Sequence, residues 1–207
     1  MTHFAQDERQ ALCDLFLKVG PDAPTLCEGW TTGDLAAHLV IRERRPDAAA
    51  GALLPPLSGY TNKVLRATKN GRRWEQLVAR LRSGPPIPLR LVDEAMNTVE
   101  YFVHHEDARR AVPGWEPRQL DPAEERALWS RLRMGGRMLA RRVPVGLVAE
   151  APGFGRATLK GGEPVVTAQG APGELVLFIF GRGAVARVEY EGDEISVERL
   201  RHARLGL

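Results

Sequence analysis

Up to Arg142 the apolar residues of this chain recur three and four apart; beyond it they come in short, β-branched runs cut by glycine turns. That change of texture constrains the fold more than any other feature, because a period of 3.6 and a period of two cannot serve the same element. The expected division therefore lies between residues 142 and 143. Residues 1–142 form a helical bundle and residues 143–207 a small α+β domain, making the whole an α+β protein.

Within the first part, "THFAQDERQALCDLFLKVG" places Phe4, Leu12, Leu15, Phe16 and Val19 near one face, and Gly20-Pro21 stops it. "TTGDLAAHLVIRER" opens with Thr31 and Asp34 in the spacing of a capping box and runs to about Pro46. A loop rich in proline and glycine is expected from Gly51 to Gly59. Helix resumes from about Tyr60, breaks at Asn70-Gly71, and continues through Trp74, Leu77 and Leu81. "SGPPIP" at 83–88 is a rigid connection. A further helix is expected from about Leu89 to Ala111, and another from Asp121-Pro122, with Asp as N-cap and Pro as first helical residue. In the second part "VPVGLVAEA", "RATLKGG", "EPVVTAQG" and "AVARVEYEGD" have strand texture, and "APGELVLFIFGR" that of a helix closing at Gly181.

Composition excludes some function classes. A net charge of +3 on 207 residues, with arginine interspersed among Asp and Glu, does not call for a nucleic-acid partner, and none is expected. The longest apolar block, "LVLFIF" at 175–180, is far shorter than the ~18 residues of a membrane span. Two cysteines without paired spacing fit a reducing cytoplasm, as does an N-terminus carrying charges where a leader would be apolar. The expectation is a cytoplasmic protein acting on small molecules.

The residues that carry chemistry lie in "EYFVHHEDARR", 100–110. Glu100 and His104 stand one helical turn apart, so a carboxylate oxygen and an imidazole nitrogen face one point. His38 lies on the leucine-bearing face of its own helix, where a solvated histidine is out of place. Together the three describe an open site for Zn(II), or for Fe(II) or Ni(II) in another geometry. Asp34 precedes His38 by one turn and Asp107 follows His104 by three, so either carboxylate is placed to orient a ligand histidine. Spacing alone leaves the bland alternatives open: a hydrogen-bonded core histidine at 38, a surface ion pair at 100 and 104. His105, Glu106, Arg109 and Arg110 are expected on a solvated face. Arg42, Arg44 and Arg45 suit carboxylate binding or, again, a solvated helix end. Cys27, with no histidine beside it in sequence, is expected to be a packed small side chain near Trp30.

"LCEGWTTGDLAAHLVIRE" (26–43), "NTVEYFVHHEDARRA" (97–111) and "GAPGELVLFIFGRGAVARVEYEGD" resemble, in order, three segments of the mycothiol-dependent maleylpyruvate isomerase family, within the wider DinB/YfiT-like superfamily. The resemblance implies an N-terminal four-helix bundle of DinB type and a sterol-carrier-like C-terminal α+β domain. It implies His38, Glu100 and His104 as ligands of a divalent metal, zinc in the first instance and Ni(II) or Fe(II) as alternatives, and mycothiol, an actinobacterial thiol, as cosubstrate. The implied activity is an isomerase or S-transferase in which a metal-activated thiol attacks a small electrophile. The alternative is a non-catalytic metal-binding module, structural or sensing, which a closed shell completed by Asp107 or His105 would favour. Neither the catalytic nor the substrate-binding residues follow from the motifs.

Overall fold

A computed structural model describes residues 3–49 and 58–206. The chain divides into two compact units, Met1–Glu116 and Pro117–Leu207.

The first unit is helical: α1 (Phe4–Val19), α2 (Thr32–Arg44), the short α3 (Pro46–Ala49), α4 (Ser58–Asn70), α5 (Trp74–Arg82), the short α6 (Ile87–Arg90) and α7 (Asp93–Arg109). α1 stops where expected, because Gly20 adopts φ +82° while its N–H still caps Phe16 O. α2 starts at the expected capping box, with Thr31 N donating to Asp34 Oδ2 at 3.0 Å. The helix expected from Leu89 is instead interrupted after α6. It restarts at Asp93, where Asp93 and Glu94 meet the positive helix end. α1 packs on α7 and α5, and α2 on α4 and α5. Leu12, Phe16, Leu35, Leu39, Leu77, Leu81 and Tyr101 form their common, fully enclosed core. The loop read at Gly51–Gly59 falls mostly on residues 50–57, outside those described; Ser58 and Gly59 already belong to α4.

The enclosed charges around Arg9 are paired. Arg9 bridges Glu43 at 2.8 Å and Asp93 at 2.6 Å, stacks on Tyr101, and Tyr101 donates its hydroxyl to Glu43.

The second unit begins with α8 (Pro122–Leu139), whose N-cap Asp121 accepts from Ala123 N at 2.7 Å. The strands are β1 (Gly146–Ala151), β2 (Gly155–Lys160), β3 (Val165–Gln169) and β4 (Glu189–Glu191). Helix α9 (Pro172–Leu177) runs into a π-helical turn over Phe178–Arg182, broken at Gly181, φ +85°. Helix α10 (Glu194–Arg201) follows. The sheet order is β2-β1-β3-β4, with β1 antiparallel to β2 and parallel to β3, and β4 antiparallel to β3. A side chain at Gly146 would place its Cβ 2.1 Å from Gly162 O, so this strand start accepts only glycine.

The expected α+β class is the one found. The grouping of α8 differs: it was read with the bundle, but it packs on α9 and β2, and the compact units part at residue 116 rather than 142. Its periodicity identifies an amphipathic helix without identifying which neighbour receives the apolar face. α10 had no sequence reading, because "EISVERLR" buries only Ser196 and Leu200. The run "AVARVEYEGD" contributes only the three residues of β4. Among the described residues no helix is long and apolar enough to cross a membrane.

Candidate metal centre

Two helices and one loop of the first unit bring the site together. α2 supplies His38, α7 supplies Glu100, His104 and Asp107, and the segment between α1 and α2 supplies Cys27 and Trp30. Glu100 Oε1 lies 3.3 Å from His104 Nε2 and 3.6 Å from His38 Nε2. The two imidazole rings stand nearly perpendicular, their centroids 5.5 Å apart. These three side chains are the ones expected from the sequence, and each keeps partial solvent exposure, between 12% and 24%.

Asp107 lies beside His104, its Oδ2 2.9 Å from Nδ1. Fixing Nδ1 in this way commits Nε2 to the side where Glu100 and His38 lie. Asp34 behaves differently. Its Oδ2 accepts from Thr31 N, from Thr31 Oγ1 at 2.9 Å and from Lys69 Nζ at 2.8 Å, and it does not support His38. The helix start it caps, together with Lys69, holds the carboxylate. Trp30, not a carboxylate, is the neighbour of His38, with ring centroids 5.1 Å apart.

The expected solvated face is also corrected. His105, Glu106 and Arg110 are buried, with His105 Nδ1 2.7 Å from Glu8 Oε2 on α1 and Glu106 paired to both Arg109 and Arg110. α7 is enclosed on more than one side, so its charges are paired inward. The three arginines after His38 are likewise engaged. Arg42 Nε lies 3.1 Å from Glu100 Oε1 and its guanidinium also reaches Asn97 and Met96 O. Arg44 bonds Ser83 and Gly84 O, and Arg45 bonds Asp47 and Tyr60. Cys27, expected only as a packed small side chain near Trp30, also meets the site: Sγ donates to Asp107 Oδ2 at 3.2 Å and lies 4.0 Å from His104 Nδ1. Seventy-seven residues separate Cys27 from His104, so no local spacing could announce the pair.

Proton affinities follow from this geometry. Burial lowers the basicity of His38, and Glu100 offsets only part of that, so the ring is held below the ordinary imidazole range. Burial also opposes charge on His104. There the hydrogen bonds to Asp107, Cys27 and Glu100 outweigh it, and the ring is held well above that range. Burial works against the Glu100 carboxylate too, yet His104, His38 and Arg42 around it keep its carboxyl well below the usual value. These shifts favour a neutral His38, a protonated His104 and an ionised Glu100.

The donor set fits a divalent transition metal. One nitrogen from each histidine and one Glu100 oxygen all lie within 4.8 Å of one another, the number and type that an open zinc site uses. Among the described residues a second group, Cys27, His104 and Asp107, overlaps the first through His104.

Neither a protein-family model nor a curated protein sequence matches this chain. Two solved structures do. The mycothiol-dependent maleylpyruvate isomerase is 18% identical, with a TM-score of 0.60 over 92% of this chain and 91% of that one. A histidine-to-alanine mutant of the mycothiol-dependent maleylpyruvate isomerase is 16% identical, with a TM-score of 0.61 over the same shares. At such identities the likeness establishes a common fold, the fold that the sequence resemblance implied.

Proposed function

Starting from that common fold, we propose that this protein is a metal- and thiol-dependent enzyme of the isomerase or S-transferase kind, with His38, Glu100 and His104 holding a divalent ion, zinc in the first instance and Ni(II) or Fe(II) otherwise. The observation that carries the proposal is the convergence of His38 Nε2 and His104 Nε2 on one Glu100 oxygen, with His104 Nδ1 already committed to Asp107. The bound ion would supply Lewis acidity, lowering the pKa of a low-molecular-weight thiol such as mycothiol so that it is a nucleophile at neutral pH.

The chain's own residues set the rest of the chemistry. His38, kept neutral, offers a lone pair without first losing a proton. The hydrogen bonds of His104 favour its proton, which must leave before Nε2 becomes a donor, while Asp107 keeps the ring aimed. Arg42 adds positive charge beside Glu100, which favours anionic groups on the thiol or the electrophile near the site. Trp30 forms an apolar wall against His38.

An open coordination position separates this enzyme from a closed, purely structural site. The two side chains that could have closed the shell are occupied elsewhere, His105 by Glu8 and Asp107 by the far side of His104, which supports the enzymatic reading. The test is calorimetric titration of the zinc-loaded protein with mycothiol, followed by an isomerase assay on maleylpyruvate. Mycothiol binding that requires the metal supports the proposal; no heat at millimolar thiol with metal bound contradicts it.

A further inference from the structure

The oxygen that orients His104 has a second donor. Asp107 is fully enclosed, at 0% exposure, and the Oδ2 atom facing His104 Nδ1 also accepts from the thiol of Cys27. Backbone and side-chain bonds hold that thiol in place. Leu26 N donates to Asp107 O at 3.0 Å, Cys27 N to Thr25 Oγ1 at 3.2 Å, and Thr25 Oγ1 to Trp30 O at 2.9 Å. Trp30 in turn lies against His38. One short segment, residues 25–30, therefore touches the supports of both histidines: through Cys27 and Asp107 on one side, through Trp30 on the other.

We propose that Cys27 is a positioning residue of the metal centre, its thiol fixing the Asp107 carboxylate and, through it, the ring of His104. The proposal rests on the metal reading above and adds a residue to it. A thiol is a weak donor, so what it contributes is direction rather than strength. Without the thiol, Asp107 Oδ2 keeps one donor fewer, and the restraint that aims His104 Nε2 at Glu100 and His38 is weaker. Removing the group directly behind a ligand histidine typically weakens metal binding about 10- to 100-fold, and loss of the thiol one bond further out acts at the low end of that range. The overlapping Cys27, His104 and Asp107 group has a rival use, with sulfur bound to the metal directly. The positions favour positioning, because Sγ and Oδ2 lie on the Nδ1 side of His104 while Glu100 lies on the Nε2 side.

The experiment is a titration of the full chain with Co(II), in the wild type, Cys27→Ala, Cys27→Ser, Asp107→Asn and Cys27→Ala/Asp107→Asn, with circular dichroism verifying the fold of each. The expected result is an affinity about tenfold lower in Cys27→Ala and restored to within a few-fold by Cys27→Ser. Cys27→Ala should add little in the Asp107→Asn background, because the two side chains act in series. Three results would overturn the inference: wild-type affinity in Cys27→Ala, an equal penalty in both backgrounds, or a thiolate-to-cobalt charge-transfer band that Cys27→Ala abolishes. A wild type that takes up no cobalt would contradict the metal reading itself, so the two failures are distinguishable.

Discussion

His104 Nε2 lies 3.3 Å from Glu100 Oε1, one helical turn away, while the other nitrogen of the same ring is held by Asp107. A histidine bonded at both nitrogens between two carboxylates keeps its proton. On the proposed metal reading, an incoming ion would have to displace that proton.

Metal uptake at neutral pH should release protons into a weakly buffered solution, and apparent affinity should fall as pH falls. The sign follows from His104, whose imidazolium is favoured over the ordinary value because its hydrogen bonds to Asp107, Cys27 and Glu100 outweigh burial. The same shift predicts the stability of the metal-free protein. A raised folded-state pKa contributes stability that is fully present below the unfolded histidine value, about 6.5, and is lost as pH rises through the folded value. Proton release measured with an indicator during zinc titration checks the first statement, and urea midpoints across pH check the second. Uptake without proton release at pH 7 would count against the assignment of His104.

Asp34→Ala should weaken the fold and leave the metal content unchanged. The carboxylate caps α2 and pairs with Lys69, so its loss costs about 1 kcal/mol, typical of an N-terminal cap. Burial raises its pKa, but the bonds from Lys69 and Thr31 prevail and the folded value is lowered. Its contribution is thus present above the unfolded carboxylate value, near pH 4, and is lost as pH falls through the lowered one. Wild type and variant should converge in acid in urea melts. A large drop in bound metal would instead restore Asp34 to the support of His38.

Arg9→Met should be among the most damaging substitutions in the first unit. It leaves Glu43 enclosed without its cation, at a cost of about 3–5 kcal/mol. Replacing Glu43 by Leu in the same chain should recover part of that loss, because the stranded charge is then gone. Denaturant unfolding of the single and double variants measures both, and additive penalties would show that the pair does not act as a unit.

The convergence of His38, Glu100 and His104 was legible because its geometry is local. A capping box fixed the register of α2, which put His38 on the apolar face, and i, i+4 spacing put Glu100 and His104 together. What could not be read was set by residues far apart in sequence. The approach of Cys27 to Asp107 depends on how the segment before α2 meets α7, and the burial of His105 depends on Glu8 on α1. Asp34 shows a different failure. Its capping role and its proposed orienting role were both visible, and the cap, supplemented by Lys69 from α4, takes the carboxylate. The α+β class followed from the change in texture near residue 142, but the partner of α8 did not, since amphipathic spacing specifies a face and not what covers it.

If His38, Glu100 and His104 hold one divalent ion, the metal content per chain reports it. Protein incubated with zinc and then dialysed should retain about one ion per chain in the wild type. His38→Ala and His104→Ala should retain almost none while keeping their helical circular dichroism. Unchanged stoichiometry in both variants, or a wild type that retains no metal, would contradict the account.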